Sequence, residues 1–392
     1  MKIKILLVFI GLVLLVAACT PPEKTCVIKG KVINRPKSTH LRLTKAFEDS
    51  RSRSVALIPI QDGSFHYEIN YTDVEAYTLI FEDEYKQGRS RPIIFFTTNG
   101  TLEMELYPME DHAKNLIEGG EDNQQFAVAV KLKMDEVRTK TKQIRDSLQV
   151  LQNSKNYFSP SGEGLSVAAK RLVAKNDSVM RMIEGRGIER IASNLTIPNY
   201  YLLIQAIRVS KYATKTFNFD ELSALQKRYA SKFKKHVYTK YSNEILWSME
   251  NMKPGGDFFD FTLPDFNERE YTLSDEIKGK YALINIWAPW CGSCISKSRD
   301  MKTVFEDYKD RGFTVVSVAS KYEEIGKVEK LLEKEQHPWL TLIDKPELDS
   351  RLNEHYGIEK AGGTCILVDK AGKVVLVSPE AAEVRQVLEA NL

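Results

Sequence analysis

Cysteine, histidine and long apolar runs are all scarce in this chain. Its 392 residues hold five cysteines and six histidines. Five cysteines are too few for a disulfide-stapled scaffold. A structural zinc site would want a second Cys-x-x-Cys or a His-x-x-x-His, and neither spacing occurs. Charge of one sign is also lacking: 56 basic against 53 acidic residues leave a formal +3, which argues against nucleic acid as a partner. The apolar run from Ile5 to Ala18 is too short for a comfortable membrane span. With 43% hydrophobic residues, the chain can nevertheless bury more than one core.

The most informative segment is Trp287-Ala-Pro-Trp-Cys-Gly-Ser-Cys294. It follows the apolar run Tyr281–Trp287, a buried-strand pattern, and precedes a helical pattern through Ile295, Met301, Val304, Phe305 and Tyr308. A Cys-x-x-Cys at the start of a helix meets free backbone N–H groups and the positive end of the helix dipole. Both favour thiolate at Cys291, and thiolate is the form that attacks disulfides. Cys294, one turn further in, is placed to resolve the mixed disulfide, with Cys291 expected to be the more exposed of the two.

These residues resemble the thioredoxin superfamily, whose signature is Trp-Cys-x-x-Cys after such a strand. Asp257-Phe-Phe-Asp-Phe-Thr-Leu-Pro-Asp265 resembles the entry sequence of its ResA/TlpA-like branch and of peroxiredoxins, so the resemblance covers about 254–392. It implies an α/β thioredoxin-like domain with strands at Phe313–Ala319 and Trp339–Asp344. A hairpin over Cys365–Val377 and a closing helix from Glu380 complete it. The implied activity is reduction of protein disulfides, without a cofactor or metal, re-reduced by a membrane electron donor of the DsbD type. Trp287 and Trp290 are expected to shield and position the pair.

Three positions depart from the family pattern. Asn285 stands where thioredoxin has a buried, proton-relaying Asp, and Asn cannot titrate. Lys297 stands where many relatives carry Glu; pointing inward it would stabilise thiolate, and pointing outward it would be one more solvated lysine. Gly363, followed by Thr364, stands where the family places a cis-proline that aligns substrate. A non-proline residue resists a cis bond, so a trans and more mobile loop is expected there. Cys365 nearby leaves open a Cys291/Cys294/Cys365 metal cluster.

Lys2 and Lys4 ahead of the run to Ala18 make a signal peptide over 1–18. Leu15-Val-Ala-Ala-Cys19 resembles a bacterial lipobox, which implies cleavage before Cys19 and lipid on its sulfur and amino group. Thr20 in place of Asp points away from inner-membrane retention. A periplasm-facing lipoprotein of the bacterial envelope, outer membrane rather than inner, is the resulting expectation. Cys26 and Cys365 are then left over, as lone residues or as a bridge.

Behind the anchor, residues 26–115 read as an all-β, sandwich-like domain. Strands are expected at Val27–Ile33, Val55–Ile60, Phe65–Ile69, Tyr77–Phe81, Ile93–Phe96 and Leu102–Leu106, with hairpin turns at Asp62-Gly63 and Asn99-Gly100. The pattern resembles the β-rich domain ahead of thioredoxin domains in some envelope lipoproteins. Basic residues between Lys29 and Arg53 read as a solvated face. From 120 to 250 the period becomes helical, with core stripes at Phe126–Leu151 and Leu165–Ile183, a helix from Pro198, and a stripe at Leu222–Ile245. Asn251-Met-Lys-Pro-Gly-Gly256 marks a boundary.

Two other functions compete. A thioredoxin fold kept as a binding or assembly scaffold would account for the missing proline, but has no need of an intact Cys-x-x-Cys. A disulfide isomerase would favour a histidine between the cysteines, where Gly292-Ser293 stands.

Overall fold

The computed structural model describes residues 23–392 except 49–53, 90, 155, 160–163, 214–215, 321–324, 346–347, 349 and 359–361. The expected signal peptide over 1–18, Cys19 and Ala361 therefore lie outside the described residues. No helix among the described residues is long and apolar enough to cross a membrane.

The N-terminal strands form two four-stranded sheets. One contains β1 (Lys24–Val32), β4 (Ser64–Tyr71), β7 (Gly100–Leu106) and β8 (Leu116–Glu118), in the order β4-β1-β7-β8. The other contains β2 (His40–Lys45), β3 (Ala56–Pro59), β5 (Ala76–Phe81) and β6 (Ile93–Phe96), in the order β3-β2-β5-β6. Inward residues of both, Ile28, Leu102, Leu41 and Leu79 among them, meet in one fully buried core. Asp62 and Gly63 take positive φ as expected, but β3 and β4 belong to different sheets, and so do β6 and β7. The Asp62-Gly63 turn closes one reciprocal pair, Gln61 and Ser64 each donating to the other's carbonyl at 2.8 Å, before β3 and β4 part into different sheets; the turn at Asn99-Gly100 likewise carries the chain from one sheet to the other. Each strand has one apolar face, and facing the sheets buries it.

The segment read as a solvated basic face supplies β2 instead. Leu41 and Leu43 are fully buried, and the intervening Arg42 pairs with Glu82 at 2.8 Å. Arg35 binds Asp83 at 2.7 Å and also Glu84, both on α1 (Glu82–Lys86). Alternating charge hid this strand, because basic residues that pair on the outer face look like solvated ones.

Among the described residues five helices follow: α2 (Glu121–Asn153), α3 (Val167–Ser193), α4 (Ile197–Ser210), α5 (Phe219–Lys232) and α6 (Val237–Asn251). Thr196 caps α4 through the Asn199 N–H, with Pro198 in its first turn. The stripe from Leu222 to Ile245 is broken between Lys232 and Val237, where His236 turns to cap α6. The α2 stripe is not core throughout, since Val130 is 37% and Met134 55% exposed. The helices are not separate from the sheets: Ala76 and Phe96 lie in one buried cluster with Tyr200, Tyr201, Leu203, Ile204 and Tyr238. Tyr238 Oη accepts the Ala76 N–H at 2.6 Å.

The C-terminal unit has β9 (Thr262–Pro264), β10 (Glu270–Thr272), α7 (Leu273–Ile277), β11 (Tyr281–Trp287), α8 (Gly292–Tyr308), β12 (Phe313–Ser320), α9 (Ile325–Glu335), β13 (Leu340–Asp344), α10 (Leu352–His355), β14 (Thr364–Val368), β15 (Val374–Val377) and α11 (Ala381–Asn391). Its five-stranded sheet runs β13-β12-β11-β14-β15. β12 pairs with β11 and β13 with β12 in parallel, while β14 is antiparallel to β11 and β15 antiparallel to β14. Alternation along β11 sends Ile284 and Ile286 to one face with Leu352 and Tyr356, and Leu283 to the other with Met301, Val304 and Leu388. Helices therefore cover both faces, and the central strand ends at the cysteine pair. This is the thioredoxin-like fold that the motif implied.

Candidate redox site

β11 ends at Trp287, and Ala288-Pro289-Trp290 carries the chain to Cys291, the N-cap of α8. Cys291 and Cys294 are disulfide-bonded, with 5.3 Å between their Cα atoms. The Cys294 N–H points at Cys291 Sγ at 3.3 Å. That donor, like the rest of the first helical turn, has no partner within the helix, so it is free to stabilise negative charge on this sulfur after reduction.

Exposure reverses the expectation for the pair. Cys291 is only 7% exposed, whereas Cys294 is part-buried. The cover is Trp290, itself 37% exposed, together with Gly362. A Cβ built on Gly362 would stand 3.1 Å from Cys291 Cβ and 3.1 Å from Trp290 Nε1, and its φ of +98° also favours glycine. The next residue closes on the second sulfur. A Cβ on Gly363 would lie 2.9 Å from Cys294 Sγ and 2.4 Å from the Ile286 carbonyl oxygen. The described residues contain no cis peptide. Thr364 opens β14, paired with Ile286 across the sheet. Two glycines thus form a backbone wall against the disulfide.

Asn285 is 6% exposed and points toward α8. Its Nδ2 donates to Ser298 Oγ at 3.0 Å and to Ser317 Oγ at 3.2 Å. Ser298 Oγ in turn donates to the Cys294 carbonyl at 3.0 Å, and Trp339 Nε1 donates to Ser317 Oγ at 2.7 Å. A buried hydrogen-bonded chain therefore runs from the Cys294 backbone to the start of β13. It holds the first turn of α8 against the sheet without a titratable member.

Trp287 is 1% exposed, and its Nε1 has no hydrogen-bond partner among the described residues. Its ring meets His337 edge-to-face at 6.0 Å, and His337 stacks on Trp339 at 5.1 Å. Burial, reinforced by Lys302, pushes His337 down to about 4, with Glu335 opposing, so the imidazole is neutral at pH 7.

Lys297 does not face the disulfide. Its Nζ lies 2.6 Å from Glu380 and donates to the Ser378 carbonyl at 3.3 Å, which raises its pKa and spends its charge at the C-terminal end of the sheet. Cys365 sits opposite Asn285 in the sheet, buried among Leu283, Met301 and Leu367 with its sulfur toward the Pro379 carbonyl. Burial pushes its thiol up to about 11. Cys26 is buried in the β-core; both are free thiols, so no bridge joins them. Among the described residues no group of three or more His, Cys, Asp or Glu is placed to hold a metal.

The structure brings Cys291, Cys294, Trp287, Trp290 and Gly363 together, places Asn285 beneath them, and removes Lys297. Ser298, Ser317, His337 and Gly362 belong to the site and were not singled out from sequence. Only Ser298 had a signal, lying one helical turn after Cys294 on the same face.

The redoxin family model matches residues 253–392. Among curated proteins, the chain is similar to the thiol-disulfide oxidoreductase ResA of Bacillus subtilis, 33% identical over 81 residues, covering 21% of this chain and 44% of that protein. It thus spans less than half of that relative's length. Similarity to ResA of Bacillus cereus is 27% over 126 residues, covering 32% and 69%. Among solved structures, a putative thiol:disulfide interchange protein DsbE from Chlorobium tepidum is 28% identical with a TM-score of 0.30, over 35% of this chain and 94% of that one. The thioredoxin domain of a thiol-disulfide oxidoreductase from Bacteroides vulgatus is 24% identical with a TM-score of 0.33, over 35% and 96%.

Proposed function

We propose, from the premise that residues 253–392 belong to the thioredoxin superfamily and are ResA/TlpA-like, that this chain is a thiol–disulfide oxidoreductase that reduces protein disulfides. In the reduced enzyme, Cys291 thiolate attacks one sulfur of a substrate disulfide. A mixed disulfide forms, and the other substrate sulfur leaves as thiolate and takes a proton from solvent. Cys294, as thiolate, then attacks Cys291 Sγ, releasing the second substrate thiolate and closing the Cys291–Cys294 bond. Two electrons pass to the substrate, and an external dithiol must return them.

The observation that carries this reading is the position of Cys291 at the α8 N-cap, bonded to Cys294 and receiving its N–H. Trp287 and Trp290 shield the pair, and the Gly363–Thr364 segment faces incoming substrate. Anchoring through a lipid on Cys19, a periplasm-facing outer-membrane location and a DsbD-type membrane donor are parts of the same proposal. They are supported by the N-terminal pattern and the family resemblance.

The test is the reduction potential of the pair, equilibrated against thiol buffers. A value at or below about −250 mV, near thioredoxin, is expected for a reductase. A value of about −120 to −180 mV would move the assignment to oxidase or isomerase. Absence of any reversible couple would sink the oxidoreductase reading and leave a binding scaffold.

A further inference from the structure

The positive charge of this chain is concentrated in one place. From Arg138 to Arg181 the sequence holds nine basic and three acidic residues, so this stretch carries +6 in a chain whose formal total is +3. It is the distal part of the hairpin made by α2 and α3. The two helices pack on each other, and a groove lined by Met134, Ile188 and Leu202 marks where they meet α4. From Met134, α2 runs on to Asn153, roughly 28 Å further. Arg138 and Lys142 pair with Asp135 and Asp146 on their own helix, at 3.1 and 2.9 Å. Arg145, Lys170 and Arg171, nearer the tip, are exposed and have no carboxylate partner among the described residues.

Between these charges the tip presents apolar side chains. Val150, in the last turn of α2, is 66% exposed, Phe158 60%, and Val167, the first residue of α3, 67%. With Tyr212 they are the four most exposed large apolar residues among those described. Phe158 is held in place: the Ser159 N–H donates to the Gly164 carbonyl and the Ser166 N–H to the Tyr157 carbonyl, both at 2.9 Å, around a bridge that pairs Phe158 with Leu165. Tyr157 meets the Phe158 ring edge-to-face at 5.3 Å, and Ser166 Oγ caps α3 by accepting the Ala169 N–H. Because it is ordered in advance, this tip loses little conformational freedom on binding. Apolar side chains flanked by cations match a surface that is anionic outside and apolar beneath.

We propose that the α2–α3 hairpin is a membrane-contact arm: Val150, Phe158 and Val167 enter the headgroup region of a bilayer whose anionic phospholipids meet Arg145, Lys170 and Arg171. An acidic protein would answer the charge alone; a bilayer also supplies the apolar layer that the three outward side chains call for. The contact is interfacial and reversible, built from few apolar side chains and surface electrostatics. It depends neither on the oxidoreductase reading nor on a lipid at Cys19.

The test is co-sedimentation of residues 20–392, which include every described residue and carry no lipid, with vesicles of phosphatidylcholine alone or mixed with phosphatidylglycerol. Binding to the mixed vesicles should be about tenfold tighter or more, and should weaken as salt is raised. The triple variant Arg145→Gln, Lys170→Gln, Arg171→Gln should lose about tenfold or more, since one cation at an anionic surface is worth about fivefold. Removing three exposed lysines outside the arm, by Lys234→Gln, Lys235→Gln and Lys253→Gln, should stay within about twofold of wild type, because those charges lie away from the contact. Phe158→Ser should cost about threefold or more. In Phe158→Trp, brominated phosphatidylcholine in the mixed vesicles should quench fluorescence beyond what it does in the wild type. All of these positions are exposed, and circular dichroism checks that the helices persist. Absence of binding to the mixed vesicles, or an arm triple variant that binds as wild type does, overturns the proposal. Binding that falls with the arm charges but ignores Phe158→Ser, without quenching of Phe158→Trp, also overturns it and points to an acidic protein as the partner.

Discussion

Gly363 lies against Cys294 so closely that a methyl group on it would stand 2.9 Å from the sulfur. The same methyl would be 2.4 Å from the Ile286 carbonyl oxygen, which belongs to the central strand and cannot swing aside. This wall, made of backbone alone, is where the chain departs most from the family pattern that its motif suggests.

Gly363→Ala should therefore destabilise the protein by about 1–3 kcal/mol, the usual cost of overpacking. Gly363→Pro carries the same Cβ and should cost at least as much, so restoring the family's residue does not restore the family's loop. Urea unfolding of the oxidised protein measures both. Alanine tolerated without loss would mean that β11 and the wall can separate.

The Asn285 chain makes a distinct prediction. Asn285→Ala removes the donor shared by Ser298 and Ser317 and should cost about 1–3 kcal/mol, two buried hydrogen bonds lost while each hydroxyl keeps its other partner. Asn285→Asp places a buried carboxyl there, with a pKa raised by desolvation. Its exchange rate should gain an additional titration from that carboxyl, beyond whatever the thiols contribute. A pH–rate profile superimposable on wild type would contradict this.

His337 gives stability a pH dependence of known sign. Its folded pKa, about 4, lies below the ordinary value of 6.5, so the unfolded chain binds the proton first. Stability from keeping this ring neutral is complete above about pH 6.5 and is lost as pH falls toward 4, by at most about 3 kcal/mol. The comparison is wild type against His337→Phe, unfolded by urea at pH 7 and pH 4.5. The difference between them should shrink or reverse at the lower pH; a constant difference would show that His337 does not titrate there.

Thiol labelling separates working from structural cysteines. With its pKa pushed up to about 11 and 7% exposure, Cys365 should resist iodoacetamide at pH 8 in the folded, reduced protein. Cys291 should label first, despite its cover, because its sulfur receives the helix N–H. Mass spectrometry of the peptides reads the order, and equal labelling of Cys365 and Cys291 would refute it.

What the residues determined by themselves is local. Trp287 to Cys294 between an apolar run and an amphipathic one specified strand, N-cap and helix, because each part depends on near neighbours in the chain. The six strands expected between Val27 and Leu106 were legible for the same reason, as was the α4 start at Pro198. Partners distant in sequence were decided only by the tertiary structure. β2 was hidden because Arg42 is neutralised by Glu82, 40 residues away. Lys297 could be assigned to solvent or to the cysteines until Glu380, brought alongside by the last turn of the sheet, took its charge. Gly363 looked like a loosened loop, and became a close-fitting wall once Ile286 and Cys294 closed around it. Periodicity reports which face of an element is apolar; it does not report what that face, or a missing side chain, will meet.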